Sequence, residues 1–124
     1  MDILRGLSSV PDSFAETGTV VTIGVFDGVH RGHQLLISKA VDTARELGVP
    51  CVVMTFDPHP VTIFAPERTP RALMPLDERA RHIAELGVDA LLVIDFREEL
   101  AGLTPAEYMD EVLVSALGAK QVLA

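Results

Sequence analysis

The amino-acid sequence predicts an α/β fold built on a parallel sheet, and three observations carry that expectation. Short apolar runs rich in β-branched residues, at Thr19–Val25, Cys51–Phe56 and Ala90–Ile94, alternate with stretches whose apolar residues fall at helical spacing. Glycine follows each helical stretch, in Leu47-Gly48-Val49, Leu86-Gly87-Val88 and Leu117-Gly118-Ala119, where a left-handed residue ends a helix. The runs are continuously apolar, as in strands covered on both faces, and strands joined through helices run parallel with right-handed crossovers. Ligands of such sheets bind at the carboxyl ends of the strands.

Thr19–Val25 is the first predicted strand, followed by a glycine-rich turn at Phe26–Gly32. A helix is expected over His33–Leu47, with Leu36, Ala40, Ala44 and Leu47 on one face and Ile37 and Val41 beside them. Cys51–Phe56 is the second strand. Asp57–Pro75 holds prolines at 58, 60, 66, 70 and 75 and reads as a long loop. Pro75 suits the first position of a second helix, with Asp77 and Glu78 favoured in its first turn by the helix dipole. Leu76, Ala80, Ile83 and Ala84 form its expected buried side. Ala90–Ile94 is the third strand. Thr104-Pro105-Ala106-Glu107 is a capping box that starts a helix running to Leu117, and Gln121–Ala124 begins a fourth strand.

Composition bounds the function. With 124 residues the prior is one domain, and 48% apolar residues exclude general disorder. The net charge of −8, from 10 basic and 18 acidic residues, argues against nucleic-acid binding through phosphate neutralisation. An anionic substrate would need a local site rather than a global field. No polybasic run, signal-peptide pattern or membrane-length apolar segment is present, so a cytoplasmic chain with no membrane partner is expected. Cys51 alone cannot form an internal disulfide and is expected to be a small core residue.

The densest chemistry is Gly24-Val25-Phe26-Asp27-Gly28-Val29-His30-Arg31-Gly32-His33, at the carboxyl end of the first strand and the start of the first helix. Glycines let a backbone approach a ligand closely, and helix-terminal N–H groups with the helix dipole favour an anion. His30 and His33 add two donors beside the same turn. Neither a P-loop nor a dinucleotide fingerprint fits. A zinc site would need further ligands from Asp57, His59 or Cys51, and no ligand spacing supports one, so no metal-ligating residue is assigned.

This segment resembles the His-x-Gly-His motif of the nucleotidylyltransferase superfamily, in the variant carried by prokaryotic FAD synthetases. Thr55-Phe56-Asp57-Pro58-His59-Pro60 matches a second motif of that family, and Leu103-Thr104-Pro105-Ala106-Glu107-Tyr108 a looser third. The resemblance spans about Val20 to Ala124 and implies a Rossmann-like, doubly wound parallel sheet that is C-terminally incomplete. Residues 1–124 would be the N-terminal portion of an FMN adenylyltransferase domain. The family's following Ser- and Arg-containing segment is absent, as is the riboflavin kinase domain often attached, so weak activity or none is expected of this chain alone.

The activity implied is transfer of AMP from ATP to FMN, with Mg²⁺, giving FAD and pyrophosphate. On the same resemblance, His30 and His33 are catalytic, and Gly24, Phe26, Asp27, Gly28 and Gly32 shape the ATP site. Phe56, Asp57, Pro58, His59, Pro60, Phe64 and Tyr108 belong to the FMN side. A non-catalytic flavin- or nucleotide-binding fragment, or a relative using another phosphorylated acceptor, remain alternatives. Other readings stay plain. Asp57 could simply form a turn, His59 could be an exposed loop residue, and Phe64 and Tyr108 could equally be core. His82, among Arg79, Arg81 and Glu85, reads as a solvated helix face, and Arg97-Glu98-Glu99 as a solvated loop.

Overall fold

The structure, a computed structural model, describes residues 1–68 and 74–124. Five strands form one sheet: β1 (Asp2–Arg5), β2 (Thr19–Ile23), β3 (Cys51–Phe56), β4 (Ala90–Ile94) and β5 (Ala119–Leu123). Their order is β1-β4-β3-β2-β5 and every pair is parallel. β3 and β4 are buried at every residue because helices cover both faces, which is why they read as unbroken apolar runs.

The two faces hold two cores. On one, Val20, Cys51, Val53, Leu91 and Val93 meet α2 (Arg31–Leu47) and α4 (Leu76–Ala84). On the other, Val21, Val52, Met54, Leu92 and Ile94 meet Phe14 of α1 (Asp12–Thr17), and Tyr108, Val112 and Leu117 of the C-terminal helical segment. That segment is α6 (Pro105–Asp110) continued by a π-helical turn over Glu111–Ala116. Odd and even strand residues therefore enter different cores, as the two-residue period of a strand requires. Two short helices, α3 (Pro60–Phe64) and α5 (Phe96–Glu99), follow the carboxyl ends of β3 and β4.

The chain steps from β2 through β3 to β4 on one side, then crosses back to lay β5 against the other side of β2. Crossovers thus diverge at the carboxyl end of β2, the position where doubly wound sheets bind ligands. The glycine-rich turn sits there.

Several expectations hold and others are corrected. Gly48, Gly87 and Gly118 all have positive φ at the expected helix ends. Thr104 and Glu107 make the reciprocal capping box, at 3.2 and 3.0 Å. The helix expected over His33–Leu47 starts at Arg31, with His30 as N-cap, and its buried stripe is Ile37, Ala40, Val41 and Ala44. Leu47 ends up exposed at the last turn. Pro75 is the N-cap of α4 rather than its first residue, and Ala84 faces solvent. The first strand ends at Ile23 and the last begins at Ala119. The expected loop over Asp57–Pro75 contains α3 and a 3₁₀ turn at Pro66–Arg68, and its residues 69–73 lie outside the described part. Arg97-Glu98-Glu99 is the body of α5, where Asp95 caps the helix and holds the Arg97 guanidinium at 2.8 Å. That hydrogen-bonded ion pair keeps the Asp95 carboxyl below its usual range.

β1 and α1 had no clear sequence signal. Cys51 is fully buried, and burial, reinforced by the Asp89 carboxylate, pushes its thiol up to about 12, as befits an inert core residue. Among the described residues no helix is long and apolar enough to cross a membrane.

Candidate functional site

β2 ends where the Gly24 N–H donates to the Met54 carbonyl at 3.1 Å, and the chain then turns over a 3₁₀ segment at Asp27–Val29 into α2. Three residues with positive φ make this turn. Phe26 is left-handed at φ 56°, Gly28 has φ 77° and Val29 has φ 44°. Positive φ is costly for a β-branched residue, so Val29 is held by its surroundings: it is buried, and its N–H and carbonyl are bonded to the Phe26 carbonyl and the Gln34 amide. Glycine is favoured at 28 by its φ, and a Cβ there would also press on the His30 ring at 3.0 Å.

The His30 N–H donates to His33 Nδ1 at 3.2 Å. With Nδ1 accepting, a neutral His33 ring carries its proton on Nε2, which becomes a donor available to a ligand. The two imidazoles lie 5.5 Å apart, centroid to centroid, and the Phe26 ring meets His33 edge-on at 5.3 Å. Phe26, itself buried, is the wall against which His33 is set. The first-turn N–H groups of α2 have no carbonyl in a preceding turn to bond, and the helix dipole adds partial positive charge. Nothing lies within 4 Å of where a Gly32 Cβ would be. Open space over Gly32 at a helix start, flanked by two imidazoles, has the chemistry to receive an anion.

Asp27 sits at the same turn but faces sideways, its carboxylate accepting the Met74 N–H at 2.6 Å just before α4.

The second cluster forms at the ends of β3 and β4. Phe56 and Phe96 stack at 5.1 Å with planes 22° apart; Tyr108 meets Phe96 edge-on at 6.1 Å and Phe64 leans on it at 6.0 Å. Tyr108 is buried and its hydroxyl donates to Glu99 at 3.0 Å, an arrangement that, after burial itself, pushes the phenol well above its usual range. Phe64 is the exposed member, with 56% of its surface open. His59 caps α3, its Nδ1 accepting the Val61 N–H at 3.0 Å, with Pro60 at the first helical position. The Asp57–Pro58 peptide is cis. Asp57 lies 3.5 Å from the Arg79 guanidinium.

The residues expected at the ATP turn thus lie together in one short segment, while Phe56, Phe64 and Tyr108 gather around Phe96. Sequence reasoning missed Phe96, and it misread Arg79, which is buried on α4 rather than part of a solvated face. A signal for Arg79 existed: it stands three residues after Leu76 and four before Ile83, on the helix's apolar stripe. Two clefts elsewhere among the described residues carry more acidic than basic side chains. The groove between α1 and the π-helical turn is lined by Leu7, Val10 and Pro11 with Asp12, Glu16 and Glu111, and no basic side chain. The cleft beside Asp57 sets Asp57, Asp95, Glu98 and Glu99 against Arg5 and Arg97.

Comparison with known proteins points the same way. The family model described as FAD synthetase matches residues 13–124. The bifunctional riboflavin kinase/FMN adenylyltransferase of Escherichia coli (strain K12) is 38% identical over 120 residues, covering 97% of this chain and 38% of that protein. The protein of the same description from Pseudomonas fluorescens is 40% identical over 122 residues, covering 98% and 38%. The chain therefore spans little more than a third of the length of these relatives. A crystal structure of a Streptococcus pneumoniae protein described as a macrolide-efflux protein superposes with a TM-score of 0.76 at 30% identity, over all of this chain and 48% of its own. The match of nearly the whole chain, on a doubly wound sheet with the histidine turn at its switch point, places this protein in the FAD synthetase family.

Proposed function

We propose that this chain carries the adenylyl-transfer site of an FMN adenylyltransferase, joining AMP from ATP to FMN to give FAD and pyrophosphate. The observation that carries it is the paired imidazoles of His30 and His33 beside the open space over Gly32, at the amino end of α2. In the reaction a phosphate oxygen of FMN attacks the α-phosphorus of ATP. One P–O bond forms, the α–β bridge breaks, and its electrons leave on pyrophosphate. FMN phosphate is already ionised at neutral pH, so no enzyme nucleophile or strong base is required, only alignment and stabilisation of charge.

The α2 N–H groups and the His33 Nε2–H would bind the triphosphate, with His30 beside them. Gly24, Phe26, Asp27 and Gly28 shape that turn. Phe56, exposed Phe64 and the Asp57–Pro60 segment would line the flavin side, with Tyr108 supporting the aromatic cluster from beneath. Among the described residues no group of three or more acidic, His or Cys side chains could hold a metal. Mg²⁺ carried largely by substrate phosphates and water would neutralise charge on the triphosphate. We also assign residues 1–124 to the N-terminal portion of the adenylyltransferase domain. A riboflavin kinase domain in the parent protein and a cytoplasmic location complete the proposal, supported by the bifunctional relatives and by the single buried thiol.

The test is to incubate the chain with ATP, Mg²⁺ and FMN and quantify FAD by chromatography. FAD formation establishes the activity. Binding of both ligands without product marks a binding fragment, and no binding of either overturns the assignment.

Gly32→Ala separates the site from the fold. An alanine on a helix meets no neighbour here, so stability should hold or rise by about 0.5–1 kcal/mol. The methyl group occupies the cradle and displaces a charge-assisted hydrogen bond of about 1.5–3 kcal/mol. ATP affinity is expected to fall roughly tenfold or more in calorimetric titration. Unchanged affinity would show that no phosphate sits over Gly32.

A further inference from the structure

Arg79 reaches from α4 to both halves of the strand-end surface. Its Nη1 donates to the Val25 carbonyl at 2.9 Å, to Thr55 Oγ1 at 3.3 Å and to the Phe56 carbonyl at 3.4 Å, and Nη2 lies 3.5 Å from Asp57. The Thr55 hydroxyl in turn donates to the Val25 carbonyl at 2.9 Å. Val25 opens the histidine turn, whereas Phe56 and Asp57 begin the flavin-side segment. The side chain is 5% exposed and its Nε has no partner. A buried guanidinium with an orphaned N–H and only a half-exposed carboxylate for a counter-charge is a costly choice if packing were its sole purpose. A second tie runs the same way, from Asp27 to the Met74 N–H at the approach to α4.

We propose that Arg79 is a positioning residue that locks the ATP turn and the flavin-side segment into one rigid unit, so that ordering either half by its ligand favours binding at the other. This rests on the adenylyltransferase reading. The phosphate of FMN must meet the α-phosphorus of ATP in line, and the two are held by segments from different strands. A donor that bonds the main chain of both fixes their separation without touching either substrate. Main-chain carbonyls are the right acceptors for this, since they move with the backbone and not with a rotamer. Coupling between two ligands through such a shared element is reciprocal.

The experiment measures FMN dissociation constants by quenching of flavin fluorescence, with and without saturating Mg²⁺ and an ATP analogue whose α–β bridge is methylene, so that no product forms. In the unsubstituted chain the analogue is expected to tighten FMN by about fivefold or more. Arg79→Met should bind each ligand alone but show less than about twofold tightening. Arg79→Lys keeps a donor able to serve the three Nη1 acceptors and should restore the tightening. Thr55→Val, isosteric and still folded, removes the hydroxyl link and should weaken the tightening, which keeps the test decisive if Arg79→Met fails to fold. Equal tightening in Arg79→Met, or in Thr55→Val where Arg79→Met is unfolded, overturns the role. Binding of both ligands without mutual effect in the unsubstituted chain overturns the coupling alone. Failure of that chain to bind either ligand overturns the functional reading, and the coupling with it.

Discussion

Replacing His33 by alanine is expected to slow FAD formation by about 10²–10³-fold while the protein stays folded. The size follows from what the ring does. A donor held in place before the reaction, aimed where charge develops on the transferring group, stabilises the transition state without reorganising at the moment of reaction. His33 is held in this way on two sides, by the His30 N–H on Nδ1 and by the Phe26 ring edge at 5.3 Å. Deleting it also removes the hydrogen bond at the helix start, a stability loss of about 1 kcal/mol. That is small beside the 5–15 kcal/mol typical of a folded domain. His30→Ala should slow turnover comparably and leave stability less affected, because its ring is exposed. Turnover and urea midpoints measured on the same preparations check both statements. Near-normal turnover in both variants would remove the histidines from the chemistry.

Phe96→Ala is expected to destabilise the fold by about 3–5 kcal/mol, the usual cost of deleting a buried aromatic ring. Phe96 is the hub of the second cluster, since Phe56, Phe64 and Tyr108 all contact it and the three are not otherwise joined by ring contacts among the described residues. A cavity here would undo the seat of exposed Phe64, so FMN affinity should fall with stability. Phe96→Leu fills most of the volume and should recover most of the stability, leaving about 0.5–1.5 kcal/mol attributable to ring–ring geometry. Urea unfolding of the two variants measures this. A loss under about 1 kcal/mol for Phe96→Ala would show that the cluster is not packed around this ring.

The histidine turn was legible in the sequence because every residue in it is local. Ten consecutive residues contain the glycines, the histidine pair and the helix start, and the bonds among them run over only a few positions. The aromatic cluster at the ends of β3 and β4 was only partly legible. Phe56 and the Asp57–Pro60 segment are contiguous, and their motif marked them. Phe96 arrives from the end of a different strand, with nothing in Asp95-Phe96-Arg97 to announce which rings it meets. Arg79 was misread because charged residues surround it in the chain, although its position on the helix stripe was already that of Leu76 and Ile83. Burying a guanidinium requires acceptors, and those acceptors include the carbonyls of Val25, just past β2, and of Phe56 at the end of β3, which no side-chain pattern displays.

By itself the sequence determined the alternation of strand and helix, the glycine stops, the capping box at Thr104, the buried Cys51 and the phosphate-friendly turn. These depend on interactions between neighbours in the chain, and spacing and residue type encode such interactions directly. Tertiary structure alone decided that β1 pairs with the outer edge of β4, that β5 lies on the far side of β2, and that α4 brings Arg79 beneath both halves of the site. Strand pairing uses backbone groups common to every residue, and the sheet order that chooses among possible pairings minimises exposed apolar area over the whole molecule. Short, largely exposed β1 had no periodicity to show, and its place came from pairing with β4.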